Sequence, residues 1–110
     1  MKDDRLYLEH IRGAIGKITS YSAGGWEAFS NNPMAQDAVL RNFEIIGEAA
    51  KRLSDAGKNR RPDIPWREIA GFRDVLIHNY MGVNLRRVWN VIENNLPKLQ
   101  EAVDDLLRDA

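Results

Sequence analysis

The stretch NLRRVWNVIENNLPKLQEAVDDLLRDA, residues 84–110, decides the fold class of this chain. Leu85, Trp89, Ile92, Leu96, Leu99, Val103 and Leu106 alternate steps of four and three, which puts them on one stripe of a helix and makes a heptad seam. Asn84 suits the cap, because its side chain can accept from the first free amides. Pro97 removes one amide donor from the seam, so a kink at Pro97, or a re-start capped by Asn95, is expected in place of a straight rod.

The same period runs through the rest of the chain. Leu8, Ile11, Ile15 and Ile18 mark an amphipathic helix behind Asp3 or Asp4 as cap, ended by Tyr21-Ser22-Ala23-Gly24-Gly25. A second helix is expected to open at Asn32-Pro33 and close at Gly57, with Val39, Phe43, Ile46, Ala50 and Leu53 as its inner stripe. Gly57 to Pro65 reads as a polar loop, and Pro65-Trp66 opens a third helix that should end at Met81-Gly82. No segment alternates with period two. The expected fold is therefore all-α, most simply an antiparallel four-helix bundle with a kinked last helix. Trp66, Trp89, Phe43 and Phe72 each fall on an apolar helical face and read as core or interface.

Composition narrows the function classes. The chain has 110 residues, enough for one domain spanning 1–110, with 44% hydrophobic and 29% charged residues. It has no cysteine, which excludes disulfides and thiolate metal sites, and its two histidines, His10 and His78, make a poor metal-binding set. Neither a cofactor nor a metal is expected. No apolar signal core opens the chain and no run reaches the length of a membrane span, so a cytoplasmic location is the expectation. Formal net charge is zero, so any grip on nucleic acid must be local. Lys51, Arg52, Lys58, Arg60 and Arg61 form the one basic concentration, read as a solvated loop and helix end.

Chemistry concentrates at Arg73-Asp74-Val75-Leu76-Ile77-His78-Asn79-Tyr80. Metal-free cleavage of RNA needs such groups: an imidazole to carry protons between the ribose 2′-OH and the leaving oxygen, and a guanidinium to hold the charged phosphorane. Asp74 and His78 are four apart, neighbours on an ideal helix, so the carboxylate can fix the imidazole's tautomer. Arg73 lies roughly 140 degrees round from His78 on that helix, so one copy orients the pair poorly and a second copy across a two-fold axis would complete the site. Taken singly, each residue has a structural explanation, such as a histidine favoured by the helix C-terminus. The joint spacing carries the functional reading. The apolar surplus of Trp66, Ile69 and Phe72 on the same helix points equally to a homodimer.

Arg73 to Tyr80 resembles the Arg-x4-His-x-Tyr motif of the HepT branch of the HEPN superfamily, small helical ribonuclease toxins paired with an MntA-type nucleotidyltransferase antitoxin. The resemblance extends to Arg41 through Leu53, to Ile64-Pro65-Trp66, to Val88-Trp89 and to Asn95-Leu96-Pro97. It implies a homodimeric endoribonuclease with catalytic Arg73 and His78, supported by Asp74. It also implies that the partner silences the toxin by transferring AMP to Tyr80. The alternative is a non-catalytic helical module of the same superfamily that binds a nucleotide or docks onto a nucleotidyltransferase; intact Arg73 and His78 favour the enzyme.

Overall fold

Helical period governs the described chain from end to end. The computed structural model describes the backbone of residues 2–78 and 84–109 and, within these, the side chains other than those at positions 2, 3, 73 and 76–78. Among the described residues there are seven helices and no strand: α1 (Lys2–Ser22), α2 (Gly25–Ser30), α3 (Pro33–Arg52), α4 (Asp55–Asn59), α5 (Trp66–His78), α6 (Leu85–Asn94) and α7 (Leu96–Asp109). α3 packs on α1, α2 and α5, while α7 packs on α1 and α6.

Most of the expected stripes are buried. Leu8, Ile11, Ile15 and Ile18 of α1 join Val39, Phe43, Ile46, Ala50 and Leu53 in one core with Ile92, Leu96, Leu99, Val103 and Leu106 of α6 and α7, whereas Leu85 and Trp89 at the start of the expected seam are only partly buried and Val88 is the core residue there. Asn32 caps α3 as expected, its Oδ1 accepting from the Ala35 amide at 3.1 Å with Pro33 in the first turn. Asn84 does the same for α6, accepting from the amides of Arg86 and Arg87 at 3.0 and 3.2 Å. The last helix is two helices, separated at Asn95. Pro97 lacks the N–H that would bond the Glu93 carbonyl, and its ring crowds that carbonyl, so the ladder opens just upstream of the proline. Pro97 itself sits in the first turn of α7, where the missing donor costs nothing.

Three expectations are revised. α2 was not anticipated: six residues are too few for a periodic signal, yet Phe29 is fully buried, and Trp26 and Phe29 pack with Trp89 at ring centroid distances of 6.0 and 5.4 Å. Gly25, at φ +90°, turns the chain into α2 through a conformation that favours glycine. Asp4 is not a cap, for it lies inside α1 and is only 3% exposed. Its carboxylate reaches across to the start of α4, accepting from the Ser54 amide at 2.9 Å and the Ser54 hydroxyl at 2.6 Å. Nor does the second helix run to Gly57. It stops at Arg52, Leu53 turns extended, and Ser54 caps the separate α4 by accepting from the Gly57 amide at 3.0 Å. Gly57 is therefore inside a helix, and it must be glycine because a Cβ there would collide with Asp4 Oδ2. The expected end of the third helix at Met81-Gly82 lies outside the described residues.

The connection into α5 is tied down by charge. Arg61 bonds both oxygens of Asp63 through Nε and Nη2, at 3.0 and 2.9 Å, and reaches Asp105 at 3.1 Å on α7. These contacts raise the Arg61 pKa above its ordinary value, the hydrogen bonds to Asp63 most of all, and the same hydrogen bonds lower the Asp63 carboxyl to about 2. Trp66 Nε1 then donates to the Arg61 carbonyl at 3.1 Å, fixing the first turn of α5.

Two tests follow from these links. Asp4→Ala leaves the partly buried Ser54 amide and hydroxyl without their carboxylate, at an expected cost of about 1–3 kcal/mol in urea unfolding; unchanged stability would show that water replaces it. Asp63 has a folded pKa near 2 against an ordinary value of 3.8, so its contribution is complete above the ordinary value and disappears as pH falls through the folded one. The melting temperature of wild type should exceed that of Asp63→Asn at about pH 5, and the gap should close towards about pH 2. A gap independent of pH would show that Asp63 acts through something other than its charge.

Candidate active site and the groove beside it

α5 is seated on α3 by aromatic packing. Phe72 meets Phe43 edge to face, with centroids 5.4 Å apart and planes at 84°, a geometry that aligns the positive ring edge with the negative ring face. The residue after Phe72 is Arg73, Asp74 follows, and His78 is the last residue of the helix. The helix is unbroken from Trp66 to His78, so Asp74 and His78 stand four residues apart in continuous helical register. Asp74 is exposed. The side chains of Arg73 and His78, and the whole of Tyr80, lie outside the described residues.

A groove of ≈ 220 Å³ opens beside this helix. Phe43 and Ile46 of α3 line it, with Ile69 and Phe72 of α5 and Val91, Leu96 and Leu99 of α6 and α7. Glu68, Arg87, Asn95 and Lys98 add polar groups. Ile69 and Phe72 are therefore only partly buried, whereas Trp66, grouped with them in the expected surplus, is 7% exposed and belongs to the core. The difference lies in position: Trp66 is in the turn that the Arg61 carbonyl holds inward.

The basic concentration behaves as a structural feature. Arg52 pairs with Glu48 at 3.0 Å, Arg60 with Asp109, and Arg61 with Asp63, Asp105 and Glu101. These carboxylates offset the three arginines, while Lys51 and Lys58 make no salt bridge among the described residues. Composition did not single out Arg86 and Arg87, and these are the more informative cations. Both are exposed on the first turn of α6, neither makes a salt bridge among the described residues, and Arg87 lines the groove together with Phe72. The Arg86 guanidinium carbon lies 4.3 Å from the Trp26 ring centroid. The signal in the sequence was the pair of arginines directly behind a capping asparagine; the ring beneath Arg86 belongs to α2, which periodicity does not reveal.

His10, the second histidine, sits apart from α5 on the α1–α3 face, edge-on to Tyr7 at 6.2 Å in an open depression shared with Arg41, Glu44, Glu48 and Arg52. Among the described residues no three histidine, cysteine or acidic side chains converge as a metal site, and no helix is long and apolar enough to cross a membrane.

Residues 11–106 match the family model described as HepT-like, Ribonuclease HepT-like. The chain is 40% identical over 109 residues to the protein named "Putative RNase TTE0752" of Caldanaerobacter subterraneus subsp. tengcongensis, across 98% of this chain and 97% of that protein. It is 41% identical over 101 residues to "Probable ribonuclease HepT" of Thermococcus cleftensis, across 91% of this chain and 92% of that protein. No solved structure matches.

Proposed function

Because the chain belongs to the HepT-like ribonuclease family, we propose that it is a metal-independent endoribonuclease, a single HEPN-type domain that acts as a homodimer and as the toxin of a toxin–antitoxin pair in the cytoplasm. One observation carries the reading: Arg73, Asp74 and His78 share an unbroken helix within the stretch that matches the ribonuclease family. In this reading the four long helical segments, α1, α3, α5 and α6 with α7, form the family's antiparallel bundle.

The reaction follows from the groups. The ribose 2′-oxygen attacks the adjacent phosphorus, a base takes the 2′ proton, and the 5′-oxygen leaves with a proton from an acid. His78 serves in this proton transfer, Arg73 stabilises the phosphorane, and Asp74, one helical turn before His78, holds the imidazole in its working tautomer. The product is a 2′,3′-cyclic phosphate. Ideal helix geometry puts Arg73 roughly 140 degrees from His78, so the site is completed by the α5 of a second copy. The partly exposed Ile69 and Phe72 and the apolar groove beside them support that pairing.

The same site supplies its own control. A nucleotidyltransferase would join Tyr80 to AMP: the tyrosine oxygen attacks the α-phosphorus of ATP, pyrophosphate leaves, and the phenolic proton passes to the transferase. On an ideal helix Tyr80 almost eclipses Arg73, so the new phosphate would occupy the guanidinium intended for substrate.

Purified protein with EDTA is expected to cut RNA, and His78→Ala to lose a factor of about 10²–10⁴ in rate. Asp74→Asn should lose less and remain folded; equal cutting by wild type and His78→Ala would remove the mechanism. Tyr80→Phe should keep cutting RNA and gain no mass when incubated with the transferase and ATP, whereas wild type gains AMP and stops. An adduct of undiminished amount on Tyr80→Phe would put the switch elsewhere.

A further inference from the structure

The protein has no net charge, so whatever RNA it holds must be gripped by a few cations that are not already neutralised. Most arginines are. Among those whose side chains are described, Arg5, Arg12, Arg41, Arg52, Arg60, Arg61 and Arg108 all lie within 4.0 Å of a carboxylate. Arg67, Arg86 and Arg87 do not, and two of these three are consecutive. Asn84 holds the turn that carries them.

The two arginines differ in setting. Arg87 lines the groove with Glu68 and Phe72, and Phe72 is the neighbour of Arg73, so a phosphate on Arg87 would lie beside the motif helix. Arg86 lies over the Trp26 ring at 4.3 Å, and Trp26 is backed by Trp89 at 6.0 Å and Phe29 at 6.3 Å. An aromatic ring therefore backs its guanidinium on one side. The residue is exposed, and the opposite face of a guanidinium plane is a stacking surface for an unpaired base.

We propose that the first turn of α6 is the strand-binding element of this protein: Arg86, held over Trp26, stacks a base of single-stranded RNA, and Arg87 binds an adjacent phosphate at the mouth of the groove. The proposal rests on the ribonuclease reading for its ligand, but binding can be tested without cleavage. The probe is a fluorescently labelled single-stranded RNA with every 2′-oxygen methylated, which cannot be cut by 2′-attack. Its affinity is measured by anisotropy across a salt series.

Arg86→Ala and Arg87→Ala should each weaken binding by about tenfold. Arg87→Ala should also flatten the slope of log affinity against log salt by about 0.7, the value for one lost phosphate contact on a single strand. Arg86→Lys keeps the charge but not the plane, so it should keep the slope and still lose affinity. Lys51→Ala, in the last turn of α3 and not among the residues lining the groove, should bind as wild type does. Wild-type affinity and slope in both alanine variants, or no binding by wild type itself, would overturn the proposal. Failure of the two readings is distinguishable. Weakened binding in the variants, together with a wild type that leaves unmethylated RNA intact, would remove the nuclease and leave the strand contact standing; normal cutting with unaltered binding would do the reverse.

Discussion

The edge-to-face contact between Phe43 and Phe72 is the constraint on which the candidate site depends. α5 takes its main support from α3, and its Ile69 and Phe72 line an open groove. A helix supported on one side can rotate or slide unless something specific fixes it, and a pair of rings in edge-to-face register fixes both. Because Phe72 is the residue before Arg73, its packing sets the rotational phase of the helix from which the motif is read. Phe43 in turn is held within the core stripe of α3, so the site inherits its position from a helix anchored in the core.

The connection that delivers the chain to α5 is governed by polar contacts rather than apolar ones. Between Leu53 and Trp66 the described chain buries Leu53, Gly57 and Ile64, too little apolar surface to specify a path by itself. Asp4 secures its start at Ser54, and Arg61 secures its end against Asp63 and α7. The ties from Asp4 to Ser54 and from Arg61 to Asp105 join residues remote in sequence, and together they bring the first turn of α1 and the last helix to bear on the entry to α5. A carboxylate buried to 3% exposure survives there because every oxygen has a donor.

What the sequence disclosed follows the length of its signals. α1, α3 and the seam of α6 and α7 carry stripes of four or more apolar residues, and those stripes are buried in the structure except at Leu85 and Trp89, which are partly buried. The caps Asn32 and Asn84 were legible because capping is a local event between near neighbours. α2 and α4 were not, having six and five residues, less than two turns of period. Asp4 looked like a cap because its pattern is that of a cap; its real partner, Ser54, is fifty residues away, and no local rule connects them. The motif from Arg73 to Tyr80 was read from spacing and resemblance, and the structure adds the helix that carries it and the groove beside it. The arginines of α6 escaped because their meaning comes from Trp26 and Phe72, on two other helices.

Charge has two distinct uses in this chain. Sixteen basic and sixteen acidic side chains cancel in total, and the pairs seen along α1, α3, α4 and α7 cancel locally as well. Exposed pairs of this kind contribute little stability. Their larger effect is to leave most of the surface without a field of either sign, which suppresses the nonspecific attraction that a basic protein has for every polyanion. A neutral surface makes a few unpaired cations count. On such a background Arg86 over Trp26 and Arg87 in the groove beside Phe72, consecutive and outside any salt bridge among the described residues, mark one place on the molecule.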